Sequence, residues 1–180
     1  MKRFNPVVLS VLLAIGVTLP MTAQLKDSAS PILEARDISG GCCQPSRDTT
    51  YLRVFPDGKA EWDEFNEAKK SYVAHQAVLS KKQMRAVKWA IDNMKDLPGS
   101  YTGKSAEGNI DSFYSFAITA RKNDKTYRTE IFFGLPVDAD NYSKLPTPLR
   151  NVACNVSVTR GQLTNEKPDL EFCRRYYVGW

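Results

Sequence analysis

The stretch Ser112–Phe133 reads SFYSFAITARKNDKTYRTEIFF. In Ser112 to Arg121, the residues Tyr114, Phe116, Ile118 and Ala120 fall at every second position. Period-two alternation places such side chains on one face of a β-strand. Lys122-Asn123-Asp124-Lys125 follows, a polar run whose central residues tolerate tight turns. Thr126 to Phe133 then answers with Tyr127, Thr129, Ile131 and Phe133. Two alternating runs about so short a link predict an antiparallel hairpin with one buried face.

The same logic reads the flanking segments. Tyr51-Leu52-Arg53-Val54-Phe55 is β-rich, Pro56-Asp57-Gly58 is a turn signal, and Ala60 to Phe65 forms the return strand. Ile32 to Ile38 is a first strand, ended by Ser39-Gly40-Gly41, and Ser71 to Val78 is another, with Tyr72, Ala74, Gln76 and Val78 on one side. Between these strands and the central hairpin the period changes. Ser80 followed by Gln83 has the spacing of a capping box, which satisfies free backbone donors at a helix start. Met84, Val87, Ile91 and Met94 then recur at helical spacing as one buried stripe, with Lys81, Lys82, Arg85, Lys88, Asp92 and Lys95 outside. Leu97-Pro98-Gly99 ends this helix, and 99–110 reads as a polar loop. Residues 134–144 form another loop, and Leu149, Val152 and Val156 mark a second, short helix over Thr147 to Val156. The expected class is α+β: an antiparallel hairpin meander of about five to six strands, packed on one face by one main and one short helix.

The N-terminus carries a different signal. Lys2 and Arg3 precede an apolar run from Val7 to Leu19, Pro20 breaks it, and Met21-Thr22-Ala23 offers a small residue for cleavage. Charged start, short apolar middle and small-residue end mark a removable bacterial-type secretory signal peptide. The run is shorter than the roughly 20 residues that span a bilayer. The expected organisation is therefore a signal peptide over 1–23, a flexible lead-in over 24–30, one domain over 31–160, and a tail over 161–180 tethered by Cys173. The mature chain is expected in the periplasm or outside the cell.

Four cysteines remain in that chain: Cys42, Cys43, Cys154 and Cys173. An even count in an exported protein points to two disulfides. Of the three possible connectivities, two tie Cys42 and Cys43 to the C-terminal pair, and the third joins Cys42 to Cys43 and Cys154 to Cys173. Bridging adjacent residues demands an uncommon ring, so the long-range pairings are expected, clasping the two ends of the domain together.

Composition narrows the function. Without Lys2 and Arg3 the formal charge falls from +5 to +3, spread along the chain, whereas nucleic-acid binders concentrate basic charge on one face. No partner of that kind is expected, nor any membrane association after cleavage. His75 is the one histidine and sits mid-strand as a surface residue with nothing nearby in sequence to orient it as a base. A metal centre normally needs clustered ligands, so neither a metal nor another cofactor is expected. Glu61, Asp63, Glu64 and Glu67 form an acidic cluster that reads as a solvated strand edge, and Asp138 and Asp140 lack the spacing of a calcium loop. Asn141-Tyr-Ser and Asn155-Val-Ser match the glycosylation sequon by chance in a bacterial-type chain. No catalytic constellation is expected.

Taken together, Cys42-Cys43-Gln44-Pro45, the run from Tyr51 through Pro56-Asp57-Gly58 to Trp62, the helix opening at Ser80, the strand from Asp111-Ser-Phe-Tyr and Leu145-Pro-Thr-Pro-Leu149 resemble small secreted bacterial domains of unknown function. The order of these elements over 32–160 is also similar to emfourin-type inhibitors of secreted metalloproteases. That resemblance implies an α+β fold and a protein partner, and it transfers no active residue. The expected function is a non-enzymatic binding protein of the inhibitor or immunity type, with Trp62, Trp89 and Trp180 as candidate interface aromatics. The alternatives are a hydrolase using carboxylates among Glu61, Asp63 and Asp111, and a structural component of the cell envelope.

Overall fold

The computed structural model describes residues 30–41, 44–102, 112–134, 145–165 and 173. The expected signal peptide, nearly all of the lead-in, and both acidic residues Asp138 and Asp140 lie outside them. The elements are β1 (Leu33–Gly41), β2 (Gln44–Val54), β3 (Lys59–Asn66), β4 (Ser71–Val78), α1 (Lys81–Asn93), β5 (Ser100–Thr102), β6 (Ser112–Lys122), β7 (Lys125–Gly134) and α2 (Thr147–Thr164). The strands form one sheet in the order β4-β3-β2-β1-β6-β7-β5. Neighbours run antiparallel except β5, which lies parallel to β7. The protein is α+β.

Local chemistry explains the turns. Between β6 and β7, Asn123 and Asp124 both adopt left-handed backbone, with φ of 49° and 60°. That suits the tight turns that match strand twist, and short polar residues tolerate it best. Between β2 and β3, Gly58 sits at φ 88°, where a side chain would strain the backbone, and the Lys59 N–H donates to Asp57 Oδ1 at 2.9 Å. In the β3–β4 turn, the Lys69 N–H donates to Asn66 Oδ1 at 2.9 Å.

Register puts the apolar residues on one face. Leu33 lies between Val54 and Ala120, and Ala35 between Leu52 and Ile118. All six are fully buried, together with Phe116 and Ile131. Next along β1, the partner of Arg36 is Thr50, so Tyr51 is the extra residue of a β-bulge. The bulge lets Tyr51 as well as Leu52 face the core, where its ring meets Phe116 edge-on at 5.1 Å. Both helices cover this face. Val87, Ala90 and Ile91 of α1, with Met94 just beyond it, pack there beside Leu149, Val152, Ala153 and Val156 of α2. The opposite face carries ion pairs, among them Arg36–Asp48 and Arg53–Glu34.

Three expectations change. The sheet has seven strands, and the parallel strand β5 lies inside the segment expected to be loop. Three residues hold no period to read, and their pairing partners, Glu130 to Phe132, are distant in sequence. The second helix is the longer one, with 18 residues against 13 in α1. Val158, Thr159 and Gly161 are weak helix formers, but Thr159 Oγ1 donates to the Asn155 carbonyl at 2.8 Å and Gly161 is buried. The helix closes at Asn165, whose φ of 57° is the left-handed cap that asparagine permits. Finally, the disulfide joins Cys154 to Cys173, with Cα atoms 5.0 Å apart. The expected clasp from Cys42 and Cys43 to the C-terminal pair is therefore wrong. Cys173 returns to the middle of α2, within bridging distance of Cys154, a proximity that sequence spacing does not reveal. Cys42 and Cys43 lie outside the described residues.

Candidate interaction surfaces

The capping box at α1 is formed as the sequence implies. The Gln83 N–H donates to Ser80 Oγ at 3.3 Å and the Ser80 N–H to Gln83 Oε1 at 2.8 Å. This anchors the helix so that its apolar stripe meets the sheet and an adjacent face, Gln83, Ala86 and Trp89, turns toward α2. There Asn151, Cys154, Asn155 and Val158 complete a groove of about 330 Å3 between the helices. Its lining is mainly apolar. Trp89 is 42% exposed, an unusual state for a tryptophan beside an apolar groove. Asn151 adds a second irregularity: its Oδ1 is buried without a hydrogen-bond partner. Such an acceptor is costly unless a donor reaches it.

A second, polar cleft opens where β2 and β3 part. These strands pair at Arg53 with Glu61 and at Val54 with Ala60. Past that point the Thr50 N–H donates to Asp63 Oδ2 at 2.8 Å, a side chain standing in for a strand partner. Tyr114 Oη donates to Asp37 Oδ1 at 2.7 Å, and the Arg160 guanidinium lies over the Tyr51 ring at 4.8 Å. Tyr51 Oη donates in turn to Ser157 Oγ at 3.1 Å. The cleft thus ties α2 to β2 and β3, and β1 to β6, through groups that already have partners.

Of the residues singled out from sequence, Glu61, Trp62, Asp63 and His75 line one cleft beside β4, while Trp89 stands apart at the helical groove. Trp62, expected at an interface, is 6% exposed and donates its Nε1–H to Glu64 Oε1 at 2.7 Å. It stacks on His75 directly across β4, at 5.8 Å between ring centres. Burial against its cross-strand neighbour removes Trp62 from the surface. His75 Nε2 lies 3.6 Å from Glu64 Oε2, a partner that sequence proximity does not reveal. Of the carboxylates, Glu61 pairs with Lys59 at 2.7 Å and with Arg53 at 3.6 Å, while Asp63 holds the Thr50 N–H. Both line a cleft beside β4, and both have structural partners there. Asp111 and Trp180 lie outside the described residues.

The end of the groove's α2 wall, Val158, Thr159 and Gln162, lies beyond Val156, where the sequence predicts the helix to stop. The signal was present as Cys154, Val158 and Gln162 at helical spacing. Among the described residues no group of three or more His, Cys, Asp or Glu could hold a metal ion, and no helix is long and apolar enough to cross a membrane. No protein-family model matches the chain, and no curated protein matches it in sequence.

Proposed function

We propose that this is an exported, non-enzymatic binding protein that engages another protein, as an inhibitor or immunity factor does, in the periplasm or outside the cell. The observation that carries the reading is Trp89, half-exposed at the mouth of an apolar groove. Aromatic anchors at water-excluding grooves supply most of the energy in many interfaces. A partner side chain filling this groove would desolvate the indole. The Cys154–Cys173 disulfide fits an oxidising compartment, and so does the signal-like N-terminus.

The test is capture from periplasm and culture supernatant with the mature protein and with Trp89→Ala. We expect a partner retained by the parent and reduced at least tenfold by the variant, with the circular dichroism spectrum unchanged. Failure to enrich any partner, or equal capture by both proteins, would sink the reading.

A further inference from the structure

We propose that β4 accepts an added strand from another protein: an extended segment with an uncharged centre and acidic ends. This goes beyond the helical groove, with which it shares only Lys82.

Among the described residues, β4 is an edge of the sheet. Its eight residues, SYVAHQAV, include no Asp, Glu, Lys, Arg, Pro or Gly. It pairs with β3 without a bulge, from Lys59 opposite Val78 to Asn66 opposite Ser71. Proteins usually protect an edge with inward charges, proline, bulges or brevity. The other edge, β5, is protected by brevity, having three residues. β4 has none of these devices. Three of the four large exposed hydrophobics among the described residues lie on the same hairpin: Phe65, Tyr72 and Val78.

The hydrogen-bonding parity shows which groups are offered. The Leu79 N–H donates to the Gly58 carbonyl at 2.9 Å, so bonds to β3 alternate back along β4 through Ala77, His75, Val73 and Ser71. The N–H and C=O groups of Tyr72, Ala74, Gln76 and Val78 therefore face the open edge. A strand laid against them would continue the ladder, the mode of recognition by which sheet edges capture extended peptides.

Charge selects the occupant. Lys69 and Lys70 stand just before β4, and Lys81 and Lys82 just after it, all exposed. Lys70 pairs with Glu67 at 2.7 Å, and the balance at both ends remains basic. A second copy added antiparallel would bring the Lys69–Lys70 end of one chain to the Lys81–Lys82 end of the other. Like charges so placed oppose pairing. A strand with acidic ends meets attraction at both.

The probe is a synthetic peptide of alternating Thr and Val bounded at each end by two Glu, compared with the same peptide bounded by Lys. We expect the acidic peptide to slow amide exchange at Tyr72, Ala74, Gln76 and Val78, and to bind at least tenfold more tightly than the basic one. Ala74→Pro removes an outward N–H that the fold does not use and should abolish binding. Gln76→Pro tests the same edge should the first variant fail to fold. Trp89→Ala should bind the acidic peptide as the parent does, which keeps this test independent of the helical groove. Equal binding of both peptides, absence of binding, or a concentration-dependent doubling of mass lost in Ala74→Pro would overturn the proposal, the last by showing that the occupant is a second copy.

Discussion

Cys154 and Cys173 are joined across 19 residues, so the bond fastens residue 173 to the middle of α2 and leaves the N-terminal cysteines out of that bridge. Cys173 is fully buried beside the helix it is tied to. A loop of this length contributes about 3 kcal/mol in the chain-entropy account of disulfides. Cys173→Ser is therefore expected to lower the melting temperature by roughly 6–12 °C for a domain of this size. Cys154→Ser should do the same, and the double variant should add little, because all three break one bond. Differential scanning calorimetry checks the values, and a non-reducing peptide map checks the pairing. A peptide linking Cys42 or Cys43 to Cys154 or Cys173 would contradict the structure.

Thr129 offers a stabilising change. It is fully buried on β7 opposite Ile118, and its Oγ1 has no hydrogen-bond partner. A buried hydroxyl left unpaired costs about 1–3 kcal/mol. Valine has nearly the same shape and favours strands. Thr129→Val should raise stability by about 1 kcal/mol, or roughly 2–4 °C in the melt. A lowered melting temperature would mean that the hydroxyl finds a donor or acceptor in solution.

The parts of the fold that were legible are those whose signal is local. The alternation from Ser112 to Phe133, the Asn123-Asp124 turn and the Ser80–Gln83 box each act within a few residues, and each forms as the chemistry implies. What stayed hidden depends on distant partners. Gln44 to Thr50 is polar and weakly patterned, yet it is strand because β1 lies beside it. Ser100–Thr102 is strand because β7 does. The bulge at Tyr51 exists only in the register with β1, and through it Tyr51 reaches Ser157 and Arg160 on α2. Trp89 was legible as lying off the buried stripe of its helix. The far end of the opposite wall, Val158, Thr159 and Gln162, was not, because tertiary contacts carry α2 beyond its weakest helix formers.

Arg53 provides the third prediction, on the solvent face of the sheet. It stands opposite Glu34 on one side and Glu61 on the other, bridging three strands. Its Nη2 lies 2.6 Å from Glu34 Oε1, and Nη1 lies 3.6 Å from Glu61 Oε2. The hydrogen bond to Glu34 raises the guanidinium pKa above its already high ordinary value; partial burial opposes this, and the charges of Glu34 and Glu61 reinforce it. A raised folded-state pKa gives stability that is fully present below the unfolded value and is lost only as pH climbs through the folded one. For arginine that window lies above any working pH, so titration of Arg53 itself contributes no pH dependence to stability. Replacement tells more. Arg53→Met should cost about 1 kcal/mol, discounted for the partial exposure of the pair, because it leaves the Glu34 carboxylate without its main partner. Adding Glu34→Gln should recover much of that loss, since a neutral amide tolerates the site. Urea unfolding of both single variants and the double variant measures the coupling, and strictly additive losses would show that the two side chains act independently.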